Sequence, residues 1–442
     1  MIERFYNKCP KFIKKNLKHM LNYIPYELRL GKTFKEAYKL CIEAQWWPAE
    51  KHMLYQFAQL KSLLTHAYNN VPYYNETFKS IGFEPEDFTD FSILKKLPYL
   101  TRDIIIQSAD KLIAKNYAPG RYVKVTTGGT TGLPMYFYED RLAFHREWGF
   151  IAGIWSTFNY EIYKPNRSVI LRGDSTRNSF FFYRGNDLIL SSFQLLEKNM
   201  KEYLKLIGDF NPTYIKAYPS SISILSEYML RNNIRLKLKN LRAIICSSEF
   251  ILDSQRKTIE DAFNKKIYSH YGHSEKSCLG TECEISHYYH LISEYGYTEI
   301  INSSGLDVSG EDELGEIVCT GFNNYVMPFI RYRTSDIAAN TVTKCNCGRN
   351  YKLVKKIQGR IQDFFVDKSG CMISIIVSDK PLWKISHKLN AYQYVQNDPG
   401  KLILNIDSRE PLSEKEILEI KHDFLKYYPN FNLHINETEN IQ

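Results

Sequence analysis

From about residue 120 to residue 335, short apolar or β-branched runs alternate with stretches of helical spacing. The runs are RYVKVTT, RSVILRG, TYIKAYP, LRAIICSS, KKIYSHYG and GEIVCTG, and the helical stretches include SSISILSEYMLRNN and DSQRKTIEDAFN. Strands that are apolar throughout must be covered on both faces, and helices between them provide the cover. The alternation therefore predicts an α/β layered architecture. Residues 1–110 read as mostly helical, with EKHMLYQFAQLKSLLTHAYNNVPYY keeping helical apolar spacing up to Asn70, Val71 and Pro72. After GRIQDFFVD the pattern restarts on a smaller scale, which places a domain boundary near Gly359 to Asp363. The expected organisation is a helical part over 1–110, a core over 111–360, and a small α+β domain over 361–442.

At 442 residues the chain is long enough for a large domain of several subdomains plus a smaller one, and its 44% hydrophobic and 24% charged content excludes disorder. The net charge of +9 is concentrated at the start, where residues 1–40 carry ten Lys or Arg against three acids. No nucleic-acid module accompanies that charge, so nucleic acid is not expected as a partner. Ile13, Leu17, Leu21 and Ile24 recur at helical spacing with lysines between them. Such a basic amphipathic helix either packs its apolar stripe on the body or docks on an anionic membrane surface. No signal-peptide pattern or membrane-spanning run is present, and nine cysteines without an export signal point to reduced thiols in the cytoplasm, possible contact with the membrane's inner face being left to the basic segment.

The stretch VTTGGTTGLPMYFYED, Val125 to Asp140, packs glycines at 128, 129 and 132 among Thr126, Thr127, Thr130 and Thr131. Glycines let backbone N–H groups converge on an anion, and the threonines add hydroxyl donors. A phosphate cradle and a plain hairpin loop both use this composition. The Gly-Lys-Ser/Thr of a P-loop and the G-x-G-x-x-G of a dinucleotide fold are absent.

Four further stretches accompany it: SSEF (Ser247 to Phe250) after an apolar strand, YGHSE (Tyr271 to Glu275) after another, RYRTSDIA (Arg331 to Ala338), and GRIQD (Gly359 to Asp363). In this order and at these intervals, with HAYNNVPYY and KKLPYLTRD upstream, they resemble the adenylate-forming superfamily. The branch is that of the phenylacetate-coenzyme A ligases and the related proteins of capsular and O-antigen polysaccharide gene clusters, and the likeness covers nearly the whole chain. The resemblance implies a large N-terminal adenylate-forming domain with a small C-terminal domain. It also implies an ATP- and Mg²⁺-dependent ligase that activates a carboxylic acid, aromatic or amino acid, as its adenylate and passes it to coenzyme A or another acceptor. A non-catalytic nucleotide-binding member, or a transferase in capsule or O-antigen assembly, is the alternative, and a homodimer is among the open assemblies.

Carried over by motif, the resemblance gives the 126–132 stretch to the β- and γ-phosphates, with Thr126, Thr127, Gly128, Gly129 and Gly132 in the cradle and Thr130 and Thr131 at the reacting end. Glu275 matches the magnesium-binding glutamate and Ser274 the hydroxyl beside it; a hard cation suits carboxylate and phosphate oxygens. Asp336 matches the acid on the ribose hydroxyls. Ser247, Ser248 and Glu249 match the adenine pocket, Tyr271, with Gly272 after it, flanks the base or the acyl group, and Arg360 contacts the nucleotide before the hinge. The acyl pocket is expected among Arg172, Tyr218, Pro219 and 271–276. Two departures stand out: Gln362 occupies the hinge, and the lysine of the family's closing P-x-x-x-G-K run has no counterpart, Gly400 and Lys401 falling too early. A truncated small domain, and an adenylation step without that cation, are the expectations.

TECEISHYYHL supplies Cys283, His287 and His290, and KCNCGRN supplies Cys345 and Cys347. Three thiolates and one imidazole make a tetrahedral zinc set, although neighbouring free thiols are the plain alternative. The spacing in relatives of this branch selects His290, giving Cys283, His290, Cys345 and Cys347 as a structural zinc site.

Overall fold

The computed structural model describes residues 29–126, 135–164, 166–172, 180–192, 195, 197–360, 364–366, 368, 372–374, 378, 380–385, 388–438 and 441. The basic stretch with Ile13, Leu17, Leu21 and Ile24 lies outside them. So do Thr127, Gly128, Gly129, Thr130, Thr131, Gly132 and the hinge residues 361–363. Two compact units emerge, one of Met1–Thr334 with Ala338–Ile357 and one of Ser335–Ile337 with Gln358–Gln442.

The first unit opens with helices α1 (Gly31–Ala44), α2 (Ala49–Asn70), α3 (Pro72–Ser80) and α4 (Arg102–Ser108). Their starts follow from local chemistry. Pro72 takes the first position of α3, where its missing N–H costs nothing, and Thr101 accepts the Ile104 N–H to cap α4. Strands β1 (Tyr122–Thr126) and β2 (Tyr136–Asp140) pair antiparallel, with Thr126 opposite Tyr136, and are followed by α5 (Ala143–Trp155).

The alternation expected next is present: β3 (Ser168–Arg172), β4 (Phe181–Arg184), β5 (Asp187–Ser191), α6 (Met200–Phe210), β6 (Tyr214–Ala217), α7 (Pro219–Arg231), β7 (Ala243–Cys246), α8 (Asp253–Phe263) and β8 (Ile267–Gly272). Six strands then run without an intervening long helix: β9 (Leu279–Thr281), β10 (Tyr289–Leu291), β11 (Gly296–Ile301), β12 (Leu314–Gly321), β13 (Tyr332–Asn340) and β14 (Lys352–Arg360). All but β1 and β2 join one sheet in the order β11-β12-β13-β14-β10-β9-β8-β7-β6-β3-β5-β4. Strands β5, β3, β6, β7 and β8 are parallel, and the strand direction reverses at β9, which pairs antiparallel with β8.

Residue alternation along these strands explains their double cover. Ile244 and Cys246 of β7 face the core made with α6, α7 and α8, whereas Ala243 and Ile245 face the core made with α1 and α5. A third core sets α2 and α3 against β2 and the antiparallel strands, with Leu60, Leu64, Phe78, Phe137, Ile317 and Val354 all buried. Helices α1 and α5 approach so closely that a Cβ added to Gly153 would lie 2.6 Å from the Cys41 Cβ, so only glycine fits there.

In the second unit, β15 (Phe364–Val366) pairs with β16 (Met372–Ser374), and β17 (Leu389–Asp398), β18 (Lys401–Ser408) and β19 (Asn432–Glu437) form a three-stranded sheet. Helix α9 (Glu414–Tyr427), opened by a Ser413/Glu416 capping box, makes the crossover between β18 and its parallel partner β19. No helix among the described residues is long and apolar enough to cross a membrane.

Candidate functional site

Because β3, β6, β7 and β8 are adjacent and parallel, their carboxyl ends lie along one edge of the sheet, the place where open α/β sheets hold ligands. Four of the sequence-selected stretches leave from that edge. Arg172 ends β3, Tyr218 and Pro219 follow β6, Ser247 to Phe250 follow β7, and Tyr271 and Gly272 end β8 just before Ser274 and Glu275. Asp336 is half-buried in β13, and Thr126 is exposed at the end of β1. The side chain of Arg360 lies outside the described residues.

Backbone strain marks the same stretches. Nine non-glycine residues have a left-handed φ among the described residues, and five of them are Asn or Asp, the types that tolerate it. The other four are Ser248 (φ 69°), Lys276 (54°), Arg331 (48°) and Ser335 (65°). Each lies in, or directly after, one of the motifs. Strain of this kind persists only where the surroundings over-determine it.

The turn after β8 carries the most elaborate chemistry. Glu275 is only 5% exposed, yet both of its carboxylate oxygens are engaged. The Tyr332 hydroxyl donates to Oε1 at 2.9 Å, and His273 Nδ1 stands 3.2 Å from Oε2. Burial alone would raise this carboxyl, but the hydrogen bond and charge of His273, with the Tyr332 bond, outweigh it and hold Glu275 down at about 2. His273 Nε2 lies 3.4 Å from the Ser277 hydroxyl. Lys276 reaches back to the buried Glu139 of β2, Nζ to Oε2 at 2.6 Å. Nearby, the Tyr295 hydroxyl donates to Glu147 of α5, whose carboxyl burial pushes up.

Tyr332, His273, Lys276 and Glu139 were absent from the residues singled out by sequence. All four lie inside named stretches, but nothing local reveals that Tyr332 and His273 meet at the Glu275 carboxylate or that Lys276 meets Glu139. Glu249 is also more committed than its motif suggests. Its carboxylate accepts from Ser220 N and Ser220 Oγ, both at 2.9 Å, and so caps α7 at the positive end of its dipole.

The cysteine and histidine set forms a second centre. Ligand atoms of Cys283, His290, Cys345 and Cys347 all lie within 4.8 Å of one another. Cys283 Sγ is 3.6 Å from Cys345 Sγ, and Cys347 Sγ is 3.2 Å from His290 Nε2. Burial pushes the Cys283 thiol up to about 11, against the backbone N–H groups of Ile285 and Ser286, which both donate to its Sγ at 3.3 Å and favour the thiolate. Burial lowers His290 to about 4, so its ring is neutral, the form that ligates a metal. His287 turns away, with Nδ1 3.6 Å from Glu282. Three sulfurs and one imidazole nitrogen at this spacing fit a tetrahedral zinc ion.

No protein-family model matches the chain. It is 24% identical over 387 residues to Protein CapK of Staphylococcus aureus, covering 84% of this chain and 82% of that one. It is 23% identical over 392 residues to the phenylacetate-coenzyme A ligase of Thermus thermophilus, covering 86% of this chain and 87% of the ligase. In structure it matches 2-hydroxyisobutyryl-CoA ligase, solved in the postadenylation state with R3-HIB-AMP, with a TM-score of 0.63 at 17% identity over 90% of this chain and 88% of that one. The layered sheet and these likenesses agree: the chain is a relative of the phenylacetate-coenzyme A ligases and of CapK, built on the fold of the adenylate-forming coenzyme A ligases.

Proposed function

We propose that the protein activates a carboxylic acid with ATP, forming an acyl-adenylate and pyrophosphate, and then passes the acyl group to coenzyme A or another acceptor. The observation that carries this reading is the anionic, doubly hydrogen-bonded Glu275 at the carboxyl edge of the parallel strands. A carboxylate kept charged while buried is what a hard cation needs as a ligand. When bound there, Mg²⁺ would neutralise charge as the acid's oxygen attacks the α-phosphate.

The chain's own residues then take the following parts. Thr126 and the stretch through Gly132, with Thr130 and Thr131, hold the β- and γ-phosphates, and Ser274 supplies a hydroxyl beside Glu275. Ser247, Ser248 and Glu249 border the adenine, and Asp336 accepts from the ribose hydroxyls. Tyr271, with Gly272 after it, stacks on the base or flanks the acyl group, whose pocket lies among Arg172, Tyr218, Pro219 and residues 271–276. Arg360 contacts the nucleotide. Cys283, His290, Cys345 and Cys347 hold a structural zinc ion. The likeness to Protein CapK of Staphylococcus aureus is what supports a role in surface polysaccharide assembly.

Pyrophosphate release on mixing the protein, MgATP and a panel of aromatic, hydroxy and amino acids tests the proposal. Release with one acid, abolished by Glu275→Gln, is the expected result. Nucleotide uptake with no turnover on any acid would instead establish a binding member without ligase activity.

A further inference from the structure

The turn from His273 to Ser277 is fixed from three sides. Tyr332 and His273 hold the Glu275 carboxylate. Behind the turn, a Cβ on Gly296 would lie 2.4 Å from the Ser277 carbonyl oxygen, and one on Gly321 would lie 2.7 Å from Ser277 Cα, so β11 and β12 press directly on its backbone. On the third side stands the Lys276–Glu139 pair, with side chains only 16% and 8% exposed.

Neither the pairing nor the backbone at Lys276 is what a lysine adopts unaided. A φ of 54° strains a residue with a Cβ, and drawing an ammonium and a carboxylate out of water is costly unless the geometry is good. A surface turn with Gly or Asn at 276 would avoid both costs. What the arrangement accomplishes is a connection: Glu139 lies in β2, the strand that leaves the glycine- and threonine-rich stretch, and Lys276 directly follows Glu275. Strand β2 and the Glu275 turn are thus joined by an ion pair across 137 positions of sequence.

We propose that Lys276 and Glu139 are positioning residues that hold the strand leaving the phosphate-binding stretch in register with the metal-binding carboxylate, so that triphosphate and Mg²⁺ are bound together. The inference rests on the reading of Glu275 and the 126–132 stretch given above. It assigns Lys276 no contact with substrate. Its ammonium is already engaged with Glu139 and reaches the Ser274 carbonyl oxygen at 3.4 Å.

The test measures ATP affinity of the full chain by calorimetry, once with EDTA and once with Mg²⁺, and takes the ratio of the two dissociation constants. Lys276→Gly removes the cation while suiting the left-handed backbone, and Glu139→Gln with Lys276→Met removes both charges together, which spares the fold an unpaired buried ion. In both variants the factor by which Mg²⁺ tightens ATP binding should fall about tenfold or more with metal-free binding little changed, and the melting temperature should fall in Lys276→Gly, which leaves Glu139 unpaired, and change little in the double variant. The reversed pair, Glu139→Lys with Lys276→Glu, should recover part of the factor. An unchanged factor in either folded variant overturns the positioning role alone. A wild-type protein that takes up no ATP under any condition overturns both this inference and the ligase reading.

Discussion

The Tyr332 hydroxyl donates a hydrogen bond to Glu275 Oε1 at 2.9 Å, joining the first residue of β13 to the turn after β8. The bond is charge-assisted and inaccessible to water, which makes it stronger than a neutral surface bond. Its removal in Tyr332→Phe should cost about 2 kcal/mol of carboxylate stabilisation and should raise the Mg²⁺ concentration needed for half-maximal pyrophosphate release. Combining it with Glu275→Gln should add nothing further, because the partner charge is already gone. Additive effects in that double-mutant cycle would show that Tyr332 acts elsewhere.

Protein purified without a tag should contain one zinc per chain by elemental analysis. Dialysis against a strong chelator, or Cys345→Ser, should lower the melting temperature, since binding free energy at such a site is folding free energy. No zinc and no response to chelator would leave the four side chains as a cluster of free thiols and a histidine.

Glu294 should give the first unit a pH-dependent stability. Burial pushes its carboxyl up to about 7, against the hydrogen bonds it accepts from Tyr351 at 3.0 Å and from Ser293 at 3.4 Å. The folded chain therefore holds this proton more tightly than the unfolded chain, where the ordinary value is 4.5. The stabilisation is complete below the unfolded value and is lost as pH rises through about 7, a change of roughly 3 kcal/mol. Glu294→Gln keeps an acceptor for Tyr351 and should flatten the denaturation midpoint between pH 5 and pH 8. A wild-type slope that survives the substitution would assign the titration to another group.

Gly296→Ala should disturb the site from behind. Its new methyl would collide with the Ser277 carbonyl oxygen, which is backbone and cannot swing aside. A loss of about 1 to 3 kcal/mol in stability, together with weaker Mg²⁺-dependent ATP binding, is expected from chemical denaturation and calorimetry. Gly208→Ala in α6 is the control: the nearest atom to its added Cβ is 3.7 Å away, and a helical glycine replaced by alanine should gain a few tenths of a kcal/mol or more. Equal effects at the two positions would remove the steric argument.

The layered fold was legible because its cause is local. Val169, Leu171, Ile215, Ile244 and Ile267 form apolar runs that only buried parallel strands use, and the helices between them carry their own spacing. The motifs could be located for the same reason, each being a short stretch at a strand end. What sequence could not reveal is set by pairings between distant residues. Tyr332 meets Glu275 across 57 positions, Lys276 meets Glu139 across 137, and the approach of α1 to α5 depends on Gly153 standing opposite Cys41. The strained backbone at Ser248, Lys276, Arg331 and Ser335 is equally silent, because Ser, Lys and Arg give no compositional sign of a left-handed φ. The pairing of Glu299 with Arg331 is another such case, since only the fold shows that each buried charge satisfies the other.

Between His290 in β10 and Cys345 ahead of β14 the chain travels out to build β11, β12 and β13 and comes back beside the strand it left. The four clustered donors sit where that excursion departs and returns. A knot tied there would close this excursion into a loop in the unfolded chain, and would hold the outer three strands at their root even when hydrogen exchange finds their far edge opening.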